Sequence, residues 1–334
     1  MKAQNIIGQS ATFLTALDKT SQLAGIERPV LIVGERGTGK ELIAQRLHYL
    51  SKRWQSPLVS LNCSTLSEGL IDSELFGHES GSFTGSKGQH KGRFERAENG
   101  SLFLDELATA PLSVQEKLLR VIEYGEYERV GGQKTLHANV RLICATNANL
   151  PELTEQGTFR ADLLDRLAFD VIQLPPLRER IEDILLLAEH YAIQMCQELG
   201  FPLFSGFSTQ ARKSLLNYPW PGNVRELKNV VERAVYQHGE QTTPIIHIVF
   251  NPFKKGDAVT NPKKEIEFKD TQIKVSLPIN YKQWQTEQDT YLLTKSLKQA
   301  KYNQRNAAKL LGLSYHQFRG MLRKYNMIGN ESQS

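Results

Sequence analysis

The sequence predicts an α/β fold: a parallel sheet flanked by helices, then a helical subdomain, then a separate all-α C-terminal domain. Three observations carry that expectation. Over residues 1–175, short β-rich apolar runs at 30–33, 58–61, 102–104 and 140–144 alternate with helical periodicity, as at 41–50 and 114–123. Such alternation is the pattern of strands joined by helical crossovers. After Pro175-Pro176 the strand signals fade, and 181–199, 209–217 and 223–236 read as three helices punctuated by Pro219 and Pro221-Gly222. Residues 251–280 are rich in Lys, Pro, Asn and Thr and read as a linker, with one short strand signal around 271–277; helical periodicity returns over 281–327. The expected boundaries are 1–175, 176–250, 251–280 and 281–334.

Bulk properties narrow the class. With 334 residues, 40% hydrophobic and 23% charged, the chain is long enough for a sizeable core and has the composition of a soluble globular protein. It has neither an apolar run of 18 residues nor a signal-peptide core at its start, which predicts a cytoplasmic location. Cys63, Cys144 and Cys196 lie far apart in apolar stretches and read as buried reduced thiols. Charge is uneven. Residues 281–334 hold nine basic and three acidic side chains, a net +6, against −1 for the rest. A basic tail on a near-neutral body points to a polyanionic partner.

The first apolar run leads directly into Gly34-Glu35-Arg36-Gly37-Thr38-Gly39-Lys40-Glu41. Glycines there let backbone N–H groups crowd a polyphosphate, the next helix adds its N-terminal partial charge, and Lys40 can reach the β- and γ-phosphates. Glu41 stands where Ser or Thr would place a hydroxyl on Mg²⁺, so the metal must lean on another carboxylate. The run Leu102-Phe103-Leu104 ends in Asp105-Glu106. Asp105 is the natural partner of Mg²⁺, and Glu106 is placed to polarise an attacking water. The run at 140–144 continues into Ala145-Thr146-Asn147, where Asn147 could touch a γ-phosphate or merely mark a turn. Arg160 and Arg166, six residues apart, read either as arginine fingers for a neighbour's ATP or as surface arginines paired with Asp162 and Asp165.

Three stretches are more specific: GERGTGKE, GRFERAENGSLFLDE over 92–106 and WPGNVREL over 220–227. By these the chain resembles the sigma-54-dependent transcriptional activators, bacterial enhancer-binding proteins with an AAA+ ATPase domain. The resemblance covers residues 6–250 and continues into the tail. Through YLSKRWQ, LATAP and KYNQRNAAKLLGLSYHQFR it is greatest to the members that govern the phage shock operon. It implies an AAA+ core with an α-helical lid. It also implies ATP and Mg²⁺ as cofactors, and ATP turnover that remodels sigma-54 RNA polymerase. Lys40 would bind phosphate, Asp105 would serve Mg²⁺ and Glu106 would activate water. Asn62 would hold Glu106 in an inactive orientation until the partner is engaged. Asn147 would be the first sensor and Arg225 the second. Arg160 and Arg166 would act in trans, which implies a ring, a hexamer.

Gly81-Ser82-Phe83-Thr84-Gly85-Ser86 stands where the family has GAFTGA, the loop that touches sigma-54. Phe83, Thr84 and both glycines are kept; each Ala-to-Ser change adds one hydroxyl, expected to sit on an exposed loop tip. The other reading is an AAA+ remodelling ATPase of another class, with the tail as a DNA tether.

In the tail, residues 306–319 read as helix, tight turn, helix. Ala307 and Ala308 permit close packing, Gly312 suits the turn, and Ser314 is a good N-cap. Tyr315, His316, Gln317 and Arg319 would meet base edges, and Arg323 and Lys324 phosphate. The stretch resembles a Fis-type helix-turn-helix for enhancer DNA. Trp54, set among polar residues, reads as a docking site or as a half-buried aromatic on the sheet edge. In the phage shock members that surface binds the inhibitor PspA. The ATPase motifs start almost at residue 1, without a preceding receiver or ligand-sensing domain, so control in trans is expected.

Overall fold

The computed structural model describes residues 6–82, 88–253, 280–300, 303–325 and 327. The chain divides into two compact units, residues 1–258 and 259–334. The first holds strands β1 (Val30–Val33), β2 (Leu58–Asn62), β3 (Ser101–Asp105), β4 (Glu126–Glu128), β5 (Thr135–His137), β6 (Arg141–Thr146) and β7 (Val171–Gln173). Five of them form a sheet in the order β2-β3-β6-β1-β7, every pairing parallel. The register sets Val33 beside Thr146 and Asn62 beside Asp105, so the carboxyl ends of four strands share one edge. Ligands of open α/β sheets lie at that edge, where strand order reverses.

Continuous apolar runs become the central strands because helices cover both faces. Leu102 and Leu104 pack into a layer with Phe76, Phe94 and Leu118; Phe103 between them faces Ile43 and Leu47 on the other side. Ile43 and Leu47 are completely buried on the helix Lys40–Tyr49, each worth roughly 1.5–3 kcal/mol, which fixes the loop before them. Arg141 starts β6 fully buried. Its guanidinium donates to Ala24 O at 2.8 Å and Leu23 O at 2.7 Å, satisfying the last carbonyls of the helix Ala11–Ala24.

The helices Ile181–Leu199, Thr209–Asn217 and Asn223–His238 enclose a second core of Ile184, Ala188, Leu215, Trp220, Leu227 and Val231. Trp220 is fully buried, and its indole N–H donates to Leu215 O at 2.9 Å. The short antiparallel pair β4–β5 is an addition that alternation did not announce, as are β7 and the helices Ala11–Ala24 and Glu68–Phe76. A bridge from His78 to Val130 attaches the segment carrying Gly81 and Ser82 to that hairpin, and a second bridge ties His78 to His90. Phe83, Thr84, Gly85 and Ser86 lie outside the described residues. All three cysteines are buried and unpaired.

In the second unit, the helices Tyr281–Gln299, Gln304–Leu310 and Tyr315–Lys324 pack on Leu293, Ala307, Ala308, Phe318 and Leu322. Gly312 makes the turn at φ +66°, and Ser314 and Gln317 form a reciprocal capping box at the last helix. Among the described residues no helix is long and apolar enough to cross a membrane.

Candidate nucleotide site

β1 delivers the chain into the glycine loop. Gly37 at φ +78° and Gly39 at φ +100° take backbone angles closed to most residues, and Gly39 caps the helix Lys40–Tyr49. Lys40 is only 8% exposed and folds over the loop, donating to Gly34 O at 2.9 Å and Glu35 O at 3.2 Å. Burial pulls its pKa below the ordinary value, and the Glu106 and Asp105 charges oppose that pull, so both carboxylates act on the lysine across the loop. Thr38 is buried, with its hydroxyl on Glu35 O at 2.8 Å; Glu41 is exposed on the first turn of the helix.

Asp105 ends β3, and its Oδ1 accepts from Glu106 N at 2.9 Å. Glu106 sits at φ 52°, ψ 42°, a left-handed conformation that costs about 1–3 kcal/mol for a non-glycine residue and persists where the surroundings enforce it. Here Thr109 enforces it, donating N–H at 3.0 Å and hydroxyl at 2.8 Å to Glu106 O. Arg36 approaches the Glu106 carboxylate at 3.9 Å. Asn62 stands beside Asp105 in the register, but its amide oxygen accepts from Ser64 N at 2.9 Å and Ser64 Oγ at 2.7 Å. That leaves the Nδ2 group of the amide as its remaining donor. Asn147 is exposed one residue past Thr146. The sheet edge thus gathers Lys40, Asp105, Glu106, Asn62 and Asn147. Two adjacent carboxylates beside a lysine and a glycine loop suit Mg²⁺, which is held through one or two carboxylates plus substrate phosphates.

Residues 6–173 match the family described as the sigma-54 interaction domain, and residues 178–264 match the AAA+ ATPase lid domain. The chain belongs to the sigma-54-dependent transcriptional activators. It is 61% identical over 323 residues to the Psp operon transcriptional activator of Escherichia coli, covering 97% of this chain and 98% of that one. It is 48% identical over 234 residues to the nitrogen fixation protein VnfA of Azotobacter vinelandii, covering 70% of this chain and 45% of the relative. The crystal structure of NtrX from Brucella abortus in complex with ADP superposes with a TM-score of 0.71 at 28% identity, covering 97% of this chain and 70% of that one. The protein is an ATP-driven transcriptional activator with an AAA+ ATPase core.

In this activator the lid closes directly on the loop. Arg225 N donates to Gly37 O at 3.3 Å. A Cβ on Gly37 would lie 2.3 Å from Gly222 O and 3.0 Å from Arg225 Cβ, so only glycine allows the approach. Three residues without a role in the sequence reading complete the contact. Arg178 grips the Glu35 carboxylate at 2.9 and 2.6 Å, Asn223 Nδ2 reaches Glu35 and Arg36 O at 3.0 Å each, and Arg180 reaches Thr38 O at 3.3 Å. Arg178 and Asn223 hold the Glu35 carboxyl down at about 2. Asn223 and Trp220 both adopt left-handed angles, φ 52° and 50°, which turn the start of the helix onto the loop. A clue lay in WPGNVREL, where an Asn follows Gly at a helix start; its partner carbonyls carried no signal.

Arg160 and Arg166 sit elsewhere on the first unit. Arg160 precedes the helix Ala161–Leu167 and makes a bidentate pair with Asp162 at 3.0 and 2.7 Å. Arg166 pairs with Glu123 at 2.8 Å and not with Asp165, since neighbouring positions on a helix point apart. Ser82 is half-buried and not an exposed tip: its hydroxyl lies within bonding reach of Val130 O at 2.8 Å and of Glu79 O. Gly81 is exposed beside it. Trp54 is 55% exposed, close in sequence to exposed Tyr49 and Leu50. Arg53 anchors that loop to Glu27 at 2.7 Å and to the backbone and side chain of Asn139 at 2.8 Å each. In the C-terminal unit His316, Gln317, Arg319, Arg323 and Lys324 are exposed, and Tyr315 is half-buried. Gln317 Oε1 is engaged by Ser314 N at 3.0 Å and Ser314 Oγ at 2.9 Å.

Proposed function

We propose that this chain, bound to upstream enhancer DNA, uses ATP turnover to remodel sigma-54 RNA polymerase holoenzyme and open promoters of the phage shock operon. The observation that carries the reading is the gathering of Lys40, Asp105 and Glu106 at one sheet edge in a chain alignable almost end to end with a Psp operon activator. Lys40 and the backbone of residues 34–41 hold the triphosphate. Asp105 holds Mg²⁺, which when bound neutralises developing phosphate charge. Glu106 takes a proton from the attacking water, with Asn62 Nδ2 restraining it in the resting state. Asn147 and Arg225 sense the γ-phosphate from the core and the lid. Arg160 and Arg166 reach the site of a neighbouring copy, so the working form is a cytoplasmic hexameric ring.

The segment from Gly81 to Ser86 is the surface that meets sigma-54, Phe83 and Thr84 supplying its distinctive chemistry and Ser82 tying it to Val130 O. Domain roles follow: 1–175 for chemistry, 176–250 as lid, 251–280 as linker and 281–334 as a Fis-type helix-turn-helix. In the last, Ser314, Tyr315, His316, Gln317 and Arg319 face bases, while Arg323 and Lys324 face phosphates. The exposed Trp54 is the docking point for an inhibitor, PspA.

The test is ATP-dependent promoter opening with purified sigma-54 RNA polymerase, beside ATP turnover by the same preparation. Opening that requires hydrolysis is expected. Turnover that is indifferent to sigma-54 would instead place the chain with AAA+ machines of another client. Glu106→Ala should lower kcat by about 10²- to 10⁴-fold while ATP affinity stays within about threefold of wild type. An unchanged kcat would remove Glu106 from the chemistry.

A further inference from the structure

We infer that Asn223 is a positioning residue for the phosphate loop, the centre of a latch that holds the loop from its outer side. Asn223 Nδ2 donates to Arg36 O at 3.0 Å, Arg225 N to Gly37 O at 3.3 Å, and Arg180 Nη2 to Thr38 O at 3.3 Å. These are three consecutive carbonyls. In a trans peptide the carbonyl of one residue and the N–H of the next point in opposite directions. Drawing carbonyls 36, 37 and 38 toward the lid therefore turns the N–H groups of Gly37, Thr38 and Gly39 away from it, into the concavity that receives phosphate. Thr38 N also makes a long turn bond to Glu35 O at 3.4 Å, which leaves the two glycine N–H groups as the ones set most fully by the latch.

The chemistry of the position requires an amide. Asn223 is fully buried and has three partners: Oδ1 accepts from Leu177 N at 2.7 Å, while Nδ2 donates to Arg36 O and to the Glu35 carboxylate. An aspartate would keep the Leu177 contact but would aim negative charge at a carbonyl and a carboxylate. Glu35 in turn is locked by Arg178, which lies just beyond β7. The latch thus joins β1, the segment after β7 and the lid helix that carries Arg225. This inference rests on the reading that the loop holds a nucleoside triphosphate.

The experiment uses the full chain with ATP as the probe. ATP Kd, KM and kcat are measured for wild type, Asn223→Asp, Arg178→Ala and Glu35→Gln, with thermal unfolding of each. Asn223→Asp is expected to raise Kd and KM together by about tenfold or more, leaving kcat at saturation within about threefold. Arg178→Ala and Glu35→Gln, at partly exposed positions, should each raise Kd by about threefold with little change in unfolding temperature. A folded Asn223→Asp with wild-type Kd, or one that loses kcat at unchanged Kd, overturns the proposal. If Asn223→Asp does not fold, the other two variants decide, and unchanged Kd in both overturns it. A wild-type chain that fails to bind ATP would instead break the underlying reading of the loop, a result that no variant can imitate.

Discussion

Arg178–Glu35 and Arg160–Asp162 are the same interaction in two places. Both are bidentate, and they are almost equally open to solvent: 46% and 42% side-chain exposure for the first, 37% and 49% for the second. Exposed ion pairs contribute little by themselves. What separates them is what else the carboxylate holds. Glu35 lies 143 residues from Arg178 and shares its charge with buried Asn223, so the pair is a joint between elements. Asp162 lies two residues from Arg160, and its other donors are backbone groups of its own turn, among them Leu163 N at 2.8 Å. That arginine is parked on its own chain by a contact that solvent can replace. A side chain needed in place should have the first arrangement; one needed by a neighbour should have the second.

The largest effect tests the parked arginine. Under the role proposed for it, Arg160→Ala should lower ATP turnover by about 10³-fold while each chain binds ATP with wild-type affinity, because a finger acts only in the transition state. Mixing Arg160→Ala chains with Glu106→Ala chains should restore part of the turnover, since each supplies what the other lacks across an interface. Turnover unaffected by Arg160→Ala would make the pair merely local and erase the distinction.

Next in size is Gly37→Ala, aimed at the joint. Its Cβ would meet Gly222 O at 2.3 Å at a φ of +78°. A strained angle alone costs about 1–3 kcal/mol, and the clash must be relieved by moving the lid off the loop. Equilibrium denaturation should report the loss, together with weaker ATP binding. Unchanged values for both would mean that lid and loop are not joined as described.

These two regions were also unequally legible. The apolar run of β1 and the helices Ile181–Leu199 and Thr209–Asn217 were visible at their observed bounds because burial enforces their periodicity. The glycine loop and Asp105-Glu106 were visible because their chemistry needs particular residue types in fixed order. β7 was not, being three residues long at the sheet edge, and β4 and β5 carry Glu-Tyr-Glu and Thr-Leu-His, too short and polar for an alternation signal. Asn223 was hidden for another reason. Its partners are backbone carbonyls, which every residue has, and it reaches them only after Trp220 is buried and the chain turns left-handed twice. Asn62 shows the reverse: a role implied by resemblance, at a side chain whose oxygen serves Ser64 in this structure.

A smaller effect sharpens the parked side. Asp162→Ala frees Arg160 from its carboxylate without touching the guanidinium itself. Turnover should stay within about threefold of wild type and stability should hardly move, as for other exposed pairs. Glu35→Ala, the matching change at the joint, should weaken ATP binding. Equal responses from the two carboxylates would collapse the comparison.

The smallest effect is in pH. Arg178 and Asn223 depress the folded-state pKa of Glu35 from 4.5 to about 2. A carboxylate with a depressed folded pKa stabilises the fold above its unfolded value, and that contribution is lost as pH falls through the folded one. The stability gap between wild type and Glu35→Gln should therefore be constant from pH 8 down to about 5.5, narrow below about 4.5 and close near 2. Denaturant midpoints across that range measure it. Solvent exposure keeps the gap small, and salt should shrink the Arg178 part of it while the neutral donor Asn223 keeps its share. A gap that vanishes entirely in high salt would assign the whole depression to Arg178 and leave the amide without a hold on Glu35.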